Sequence, residues 1–307
     1  MNKFSPQRGQ LVAVAKMYYE DNLTQNEIAS RLGVSRPQVS KLLALAREQG
    51  VVTIVINDHS AEEDNVEVLH NLCQKYKLQG GLVLTDHKDL RVLLKQATMY
   101  VALELQTEYN VGLGWGAPLG LFVEQFAASC FHTSAGTVYP LIGEAPIPNE
   151  DYKVNAMALA VAKALGRKNF LLEEKAFSES REDKNLLEGK NSYQGITAKW
   201  RELDLALLAI QNYPSSPDEA TGMRFGNVLT RQHAVGSFLS YFYNAQGDIL
   251  SGENDFTCRA SLADLRHCSK VLGLGLGVQV NSLRGALHTG IFTHVILSLS
   301  QAKSLLL

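Results

Sequence analysis

The chain has 307 residues, 46% apolar and 20% charged, enough for one large domain or for an ordinary domain plus a small one. This composition excludes a disordered or fibrous protein. The formal net charge of −2, taken alone, argues against a dedicated nucleic-acid binder, because such proteins usually carry a surplus of Lys and Arg.

The charge is unevenly distributed along the chain. Residues 1–57 carry seven basic and four acidic side chains, a net of +3, whereas the following 250 residues carry 22 basic and 27 acidic ones, a net of −5. Such a contrast between segments is a recognised hint of a nucleic-acid-facing end.

The four cysteines lie far apart and form no CxxC pair, which excludes a disulfide framework, a zinc ribbon and a thioredoxin-like site. We expect reduced, mostly buried thiols. The polar N-terminus is unlike a secretory signal, and the longest uncharged apolar stretch, residues 111–123, is too short and too rich in glycine to span a bilayer. These features predict a soluble, cytoplasmic protein.

The first segment predicts three helices. Apolar residues recur at helical spacing over residues 10–22. Thr24 and Glu27 form a capping box that begins a second helix, and Gly33 permits the turn that ends it. Ser35 caps a third helix that runs to about Gln49.

A short strand is expected over residues 51–56, and the polar residues 57–65 indicate a domain boundary. The predicted domains are therefore residues 1–57 and residues 58–307. The second begins with a connecting helix that carries Val66, Leu69, Leu72 and Tyr76 on one side. This stripe packs either on a partner subunit or on its own domain, and the sequence favours neither.

Strands then alternate with helices, which predicts βαβ units and a mostly parallel sheet covered on both faces. Ligands of such sheets bind beyond the carboxyl ends of the strands. The expected strands are residues 81–85, 110–113, 137–142, 170–173, 205–210, 271–276 and 294–299, and the expected helices are residues 89–107, 119–130, 154–165 and 228–243.

Residues 24–50 have the layout of a helix-turn-helix: a capped helix, a glycine turn and a second helix that begins with small polar and basic residues. Val39, Leu42, Leu43 and Ala46 share the side that would pack inward. An ordinary helical hairpin with a solvated basic face is the alternative. The residues predicted to contact DNA are Gln25, Ser35, Arg36, Pro37, Gln38, Ser40 and Lys41.

These side chains differ in what they can recognise. Arg36 can make a bidentate contact to guanine and Gln38 one to adenine, whereas Ser35, Ser40 and Lys41 suit phosphate or mixed contacts. A domain of net +3 cannot bind tightly by charge alone, so we expect an oligomer that spans two half-sites.

Over essentially its whole length the chain resembles the SorC family of bacterial sugar-responsive transcription regulators. The resemblance is carried in order by several segments, each weak by itself. They are LTQNEIASRLGVSRPQVSKLL, GVVTIVI, VGLGWGAPL, YPLIGEAP, YKVN, WRELDLALLAI, AVGSFLSYFYNAQG and the terminal LRGALHTGIFTHVILSLSQAKSLLL.

The resemblance implies an α/β protein with an N-terminal, winged-helix-like helix-turn-helix domain. A Rossmann-like effector domain similar to sugar-phosphate isomerases and glucosamine-6-phosphate deaminases would follow. It also implies a homotetramer or dimer whose affinity for operator DNA is set by a sugar or sugar phosphate. For such control the effector must bind the DNA-competent and incompetent arrangements unequally.

The glycine-rich turn after residues 110–113 looks like a backbone cradle for an anionic or polyol ligand, and the family places the effector there. A tight turn without a ligand is the alternative, and Tyr152 is as compatible with a structural role. The expected effector-binding residues are Gly114, Trp115, Gly116, Ala117, Gly143, Tyr152, Asn155, Ser237 and Gln279.

Three positions depart from the phosphate-binding members that the chain resembles. Pro118 replaces a threonine, Ser237 an aspartate and Gln279 a lysine, and each change removes a charge or a donor. Losing a charge-assisted contact would weaken a phosphate site by roughly ten- to a hundredfold. The pocket therefore takes a less charged ligand, holds a phosphate by backbone amides, or binds nothing.

An enzyme of the sugar-phosphate isomerase type is the runner-up, since fold does not determine function. Such chemistry needs a general base and acid, for which only Glu144 and His233 are candidates, and each suits a surface or structural role better. The eight histidines show no metal-ligand spacing, and no cofactor is expected.

Overall fold

The computed structural model describes residues 8–48, 51–52, 59–105, 110–129, 135–145, 152–214 and 219–307. The chain divides into two units, Met1–Asp58 and His59–Leu307. Each has its own buried apolar core, so each is described by itself.

The described part of the first unit is helical: α1 (Arg8–Tyr19), α2 (Gln25–Leu32) and α3 (Arg36–Glu48). Gly33 ends α2 in the left-handed region with φ 63°, which a side chain would disfavour. The strand expected over residues 51–56 falls mostly outside the described residues. The core of this unit consists of Leu11, Val14, Ala15, Ile28, Ala29, Val39, Leu42, Leu43 and Ala46.

The second unit alternates strands and helices, as the sequence predicts. Its helices are α4 (His59–Tyr76), α5 (Leu90–Glu104), α6 (Ala117–Ala127), α7 (Val154–Leu165), α8 (Arg181–Glu188), α9 (Asn191–Trp200), α10 (Glu219–Phe225), α11 (Val228–Arg231), α12 (Leu262–His267), α13 (Val280–His288) and α14 (Leu299–Leu306). Its strands are β1 (Gly80–Leu84), β2 (Asn110–Leu113), β3 (Thr137–Pro140), β4 (Lys168–Asn169), β5 (Leu205–Ala209), β6 (Gln211–Asn212), β7 (Ala234–Phe238), β8 (Tyr241–Asn244), β9 (Ile249–Leu250), β10 (Lys270–Leu274) and β11 (His294–Ser298).

A parallel sheet of seven described strands, in the order β1-β11-β10-β5-β2-β3-β4, forms the centre of this unit. The side chains of β5 alternate between the two faces. Leu205 and Leu207 join the core that includes α5, α6 and α7, whereas Ala206 and Leu208 join the core on the other face. Both faces are covered, which explains the continuous apolar run and confirms the predicted fold class.

The helix expected over residues 228–243 is wrong beyond its first turn. Helix α11 ends at Arg231, and the following residues form the antiparallel hairpin β7–β8 of a second sheet, β6-β7-β8-β9. The hairpin turns at Leu239 and Ser240, whose φ angles are 45° and 63°. Because this tight turn contains neither glycine nor asparagine, the usual hairpin signal is missing, and the apolar run also fits helical spacing.

Two smaller differences concern the edges of the large sheet. The strand expected over residues 170–173 lies earlier, at β4, although the Phe170 amide still donates to the Val138 carbonyl at 2.9 Å. Helix α4 packs on β1 and α14 of its own unit through Val68 and Leu72, while Val66 is 68% exposed. Of the predicted stripe, Leu69, Leu72 and Tyr76 pack in the core of this unit, so the prediction is wrong only at Val66 and the own-domain alternative describes the contacts of α4.

Candidate functional site

The first turns of α3 expose one contiguous polar surface, the reading face, which consists of Ser35, Arg36, Pro37, Gln38, Ser40 and Lys41. Val39, Leu42 and Leu43 lie on the opposite side of the helix and are buried against α1 and α2. Burial of one side thus forces the predicted DNA-contacting side chains outward. Gln25, the first residue of α2, is half-buried.

A side chain in the first turn caps each helix of this pair: α2 has a complete capping box, whereas α3 has one half of it, because the Gln38 backbone amide donates to the Ser35 backbone carbonyl at 2.9 Å. In α2 the Thr24 amide donates to the Glu27 carboxylate at 2.8 Å, and the Glu27 amide donates to the Thr24 hydroxyl at 3.3 Å. The hydrogen bonds from the Thr24 amide and hydroxyl lower the pKa of Glu27 below its usual range. In α3 the Ser35 amide and hydroxyl donate to the Gln38 carbonyl oxygen at 2.9 and 3.1 Å. The amide carbonyl of Gln38 is therefore engaged within the protein.

In the second unit the glycine-rich turn lies at the carboxyl end of β2. The Gly114 amide donates to the Leu207 carbonyl at 2.9 Å, which ties the turn to β5. Gly116 has φ 116°, and a Cβ there would lie 2.3 Å from the Gln211 side-chain nitrogen. Helix α6 follows, with exposed Ala117 at its start and Pro118 in its first turn. The φ of 116° favours glycine at position 116, and the end of the Gln211 side chain lies where a Cβ would stand.

Ser237 and Gln279 both lie next to β6, the short strand that contains Gln211 and Asn212. Ser237 is 8% exposed and is the β7 residue opposite Gln211 in the antiparallel pair. Gln279 is exposed, and its backbone N–H donates to the Asn212 side-chain oxygen at 2.9 Å. The structure therefore brings Gly116, Ser237 and Gln279 around Gln211–Asn212. The sequence signal for β6 was its position directly after a buried strand.

Three of the four remaining predicted effector residues, Gly143, Tyr152 and Asn155, are engaged within the fold. The Gly143 amide donates to the Cys258 carbonyl at 2.8 Å, and a Cβ at this glycine would lie 2.5 Å from the Glu174 carbonyl. The Tyr152 ring packs on Gly120, and its hydroxyl donates to Glu124 at 2.8 Å. The Asn155 amide group both donates to and accepts from the Leu172 backbone, at 2.9 and 3.0 Å. Their part in effector binding stays a prediction.

Two side chains near these strand ends hold a buried polar atom without a hydrogen-bond partner among the described residues, the Trp115 indole nitrogen and one Glu144 carboxylate oxygen. The other Glu144 carboxylate oxygen accepts a hydrogen bond from the backbone N–H of Asn155, in the first turn of α7, at 3.3 Å. The Trp115 ring packs edge-on against Phe177, with 5.9 Å between ring centres. A buried N–H without a partner needs a hydrogen-bond acceptor, and a buried carboxylate oxygen without a partner needs a donor.

A cluster of buried charges, Arg224, Asp255 and Arg259, adjoins this aromatic pair. The Arg224 guanidinium lies 4.2 Å from the Phe177 ring centre. Asp255 accepts from Arg224 at 3.0 Å and from Arg259 at 2.6 Å. Burial by itself would raise the pKa of Asp255, but Arg259, Thr257 and Arg224 together hold it below its usual range. The carboxylate thus occupies guanidinium donors that an anionic ligand would need.

The residues considered for catalysis do not form an acid–base pair in the described structure. His233 is exposed, just before β7, and Glu144 is fixed by α7. Across the described ranges, no group of His, Cys, Asp and Glu side chains could hold a metal ion. Cys258 and Cys268 are buried thiols and Cys73 is a half-buried one, and Cys130 lies outside the described residues. No described helix has the length and apolar character needed to cross a membrane.

Comparison with known families divides the chain in two. Residues 60–307 match the family described as "Putative sugar-binding domain", and residues 7–61 match the MarR family. The sorbitol operon regulator of Klebsiella pneumoniae is 28% identical over 311 residues, covering 97% of each chain. The deoxyribonucleoside regulator of Bacillus subtilis is 26% identical, covering 93% of each chain.

Solved structures show the same fold. The full-length sorbitol operon regulator SorC from Klebsiella pneumoniae superposes with a TM-score of 0.80 at 24% identity, covering 99% of this chain and 100% of that one. A probable sor operon regulator from Shigella flexneri gives 0.68 at 19% identity and covers 80% of this chain and 100% of that one. The arrangement of a helical unit followed by a parallel α/β unit is therefore shared along the whole chain.

Proposed function

Since this chain belongs to the SorC family of sugar-responsive transcription regulators, we propose that it binds operator DNA through the reading face and controls a carbohydrate-utilisation operon. Its relatives over nearly the whole chain are named as transcription regulators, which sets aside the isomerase alternative. The bound DNA, the effector and the residues that contact them are the parts proposed here.

The observation that carries this proposal is the reading face itself. Six consecutive or near-consecutive polar and basic residues are exposed at the start of α3, while the opposite side of the helix is buried. The start of the second helix of a helix-turn-helix is the part that enters the major groove. Arg36 supplies the long donor side chain that reads a guanine edge there, and Lys41 suits a phosphate.

Binding to DNA upstream of the gene, measured by fluorescence anisotropy, tests the first half of the proposal. We expect Arg36→Ala to weaken operator binding about tenfold or more, because a bidentate contact to guanine is lost. Arg201→Ala removes the same charge from the exposed surface of the second unit and should leave binding unchanged. Equal binding by the Arg36 variant and the wild type would refute this role of the reading face.

For the effector we propose a hydroxyl-rich, uncharged sugar or polyol bound at the ends of β2 and β3. The indole N–H of Trp115 and one carboxylate oxygen of Glu144, each without a hydrogen-bond partner among the described residues, support this class, since hydroxyl groups both accept and donate hydrogen bonds. A phosphate would be repelled by Glu144, and the guanidinium donors nearby are engaged by Asp255. Pro118, Ser237 and Gln279, each without charge, point the same way.

A thermal-shift panel of hexitols, hexoses and pentoses, each paired with its phosphate ester, distinguishes the three alternatives for this pocket. We expect a free sugar to raise the melting temperature more than its ester, because ligand binding stabilises the native state. Preference for the ester would favour a phosphate held by backbone amides, and no response would mean an inactive pocket. Trp115→Phe keeps an aromatic ring but removes the indole N–H, and it should reduce the rise in melting temperature that the sugar causes.

The proposed assembly is a cytoplasmic homotetramer or dimer. A single domain of net +3 offers few phosphate contacts, so tight binding needs two reading faces on two half-sites. Light scattering of the full chain, free and bound to operator, gives the number of subunits. A monomer that binds its operator tightly at physiological salt would overturn this part.

A further inference from the structure

The side chains that cap the starts of α2 and α3 differ in one respect that concerns DNA. Both join an N-cap hydroxyl residue to the third helical residue, Thr24 to Glu27 in α2 and Ser35 to Gln38 in α3. The first uses a carboxylate and the second an uncharged amide. The N-terminus of a helix carries a partial positive charge, so helix stability alone favours the carboxylate. The lowered pKa of Glu27 shows the same preference within this protein.

The amide is the better choice where a helix approaches phosphates. Gln38 lies on the reading face, between Arg36 and Lys41, where a carboxylate would repel DNA. An amide keeps the cap through its carbonyl oxygen and still presents its NH2 group as a donor.

The same cap restricts what Gln38 can read. Bidentate recognition of adenine needs the side-chain carbonyl to accept from N6 and the amide nitrogen to donate to N7. In this structure the carbonyl oxygen accepts from both the amide and the hydroxyl of Ser35. A bidentate contact to adenine would require Gln38 to release the first turn of α3, and with it the placement of Arg36.

We propose that Gln38 is a positioning residue of the reading face: its carbonyl caps α3, its amide nitrogen donates to the DNA backbone, and Arg36 alone of the two reads a base, guanine. This inference rests on the proposed function, because it assigns roles within the same DNA contact. It replaces the adenine contact that the sequence suggested for Gln38.

The experiment uses full-length Gln38→Glu, Gln38→Ala and Arg36→Ala, with hydrogen exchange to follow the cap and anisotropy to follow binding. Affinities are measured at one salt concentration for a duplex selected by the wild type from a random pool, and for a scrambled duplex. The start of α2 serves as an internal reference for exchange. The ratio of the two affinities reports base reading, whereas a backbone contact changes both equally.

We expect Gln38→Ala to speed exchange in the first turn of α3 roughly fivefold, whereas Gln38→Glu leaves it at the wild-type rate or below. Gln38→Glu, which keeps the cap, should bind the two duplexes more weakly by the same factor, about tenfold, because of its added negative charge. Gln38→Ala frees the first turn that places Arg36 and should therefore also lower the ratio of affinities, but less than Arg36→Ala does. Arg36→Ala should lower the ratio of affinities tenfold or more.

Each part can fail separately. A ratio that falls for Gln38→Glu, which keeps the cap, as far as it does for Arg36→Ala would mean that Gln38 reads a base, and the inference would be wrong. If hydrogen exchange in the first turn of α3 were as fast in Gln38→Glu as in Gln38→Ala, the side chain at position 38 would not cap the helix, and that part of the inference would be wrong. Wild-type protein that binds the selected and scrambled duplexes equally would refute the proposed function itself, and the inference with it.

Discussion

The two units of this protein organise their functional residues in opposite ways. In the first unit the reading face spans seven positions of one helix, and the cap that begins this helix joins residues three apart. In the second unit the candidate effector residues lie on different strands and turns, and the bond from Gln279 to Asn212 joins residues 67 apart. The first site therefore depends on local helix formation, and the second depends on assembly of the whole sheet.

The buried charges of the second unit provide the largest test of this contrast. Asp255→Ala would leave Arg224 and Arg259 buried with a missing partner, and should lower the free energy of unfolding by about 3 to 5 kcal/mol. Urea unfolding measures the loss. The exposed pair Lys199–Glu202 is the matched control, and Glu202→Ala should change stability by about 1 kcal/mol or less.

The same carboxylate predicts an acid dependence. Because the folded pKa of Asp255 lies below its unfolded value of about 3.9, its stabilisation is fully present above that pH. It should be lost as the pH falls through the folded pKa. Asp255→Asn should accordingly show a shallower loss of stability in acid, and an unchanged acid profile would contradict the ion-pair assignment.

Two glycines allow the effect of tertiary packing on stability to be compared with that of local helix propensity. Gly143→Ala would place a Cβ within 2.7 Å of backbone atoms of the segment that follows Glu174, and should cost about 1 to 3 kcal/mol. Gly195, inside α9, has open space, so Gly195→Ala should stabilise the protein by about 0.5 to 1 kcal/mol. Thermal unfolding compares the two, and equal effects would contradict the close approach at Gly143.

The smallest expected effect belongs to the first unit. Thr24→Ala removes one partner of the α2 capping box and should cost about 1 kcal/mol of local stability. Hydrogen exchange should quicken at the start of α2, while the strands of the second unit keep their protection. Thr24→Ser retains the hydroxyl and should behave as the wild type. Faster exchange throughout the second unit would show that the two units are more strongly coupled than this contrast assumes.

Several features were predictable because they depend on short segments. The capping box at Thr24, the N-cap at Ser35, the turn at Gly33 and the outward placement of Arg36 follow from residues within one helical turn of each other. The parallel sheet followed from apolar runs such as β5, buried along its whole length. Family resemblance added the functional class, which the comparisons support over nearly the whole chain.

Other features were not predictable because their partners are remote. Asn155 suits a ligand contact by residue type, yet both ends of its amide bind the Leu172 backbone. Val66 matched the apolar stripe of α4 but faces solvent. The β7–β8 hairpin was taken for a helix because nothing in the local pattern marks its turn.

By itself, the sequence determined the two-part plan, the three helices of the first unit, most strands of the parallel sheet and the family. Those properties rest on neighbouring residues and backbone preferences. Only the tertiary structure decided that Gly116, Ser237 and Gln279 gather around β6 and that Gln38 is engaged by Ser35. It also decided that Trp115 and Glu144 each bury a polar atom that has no partner within the described ranges. Hydrogen-bond partners and burial are determined when segments that are distant in sequence pack together, and no single segment contains the information that determines this packing.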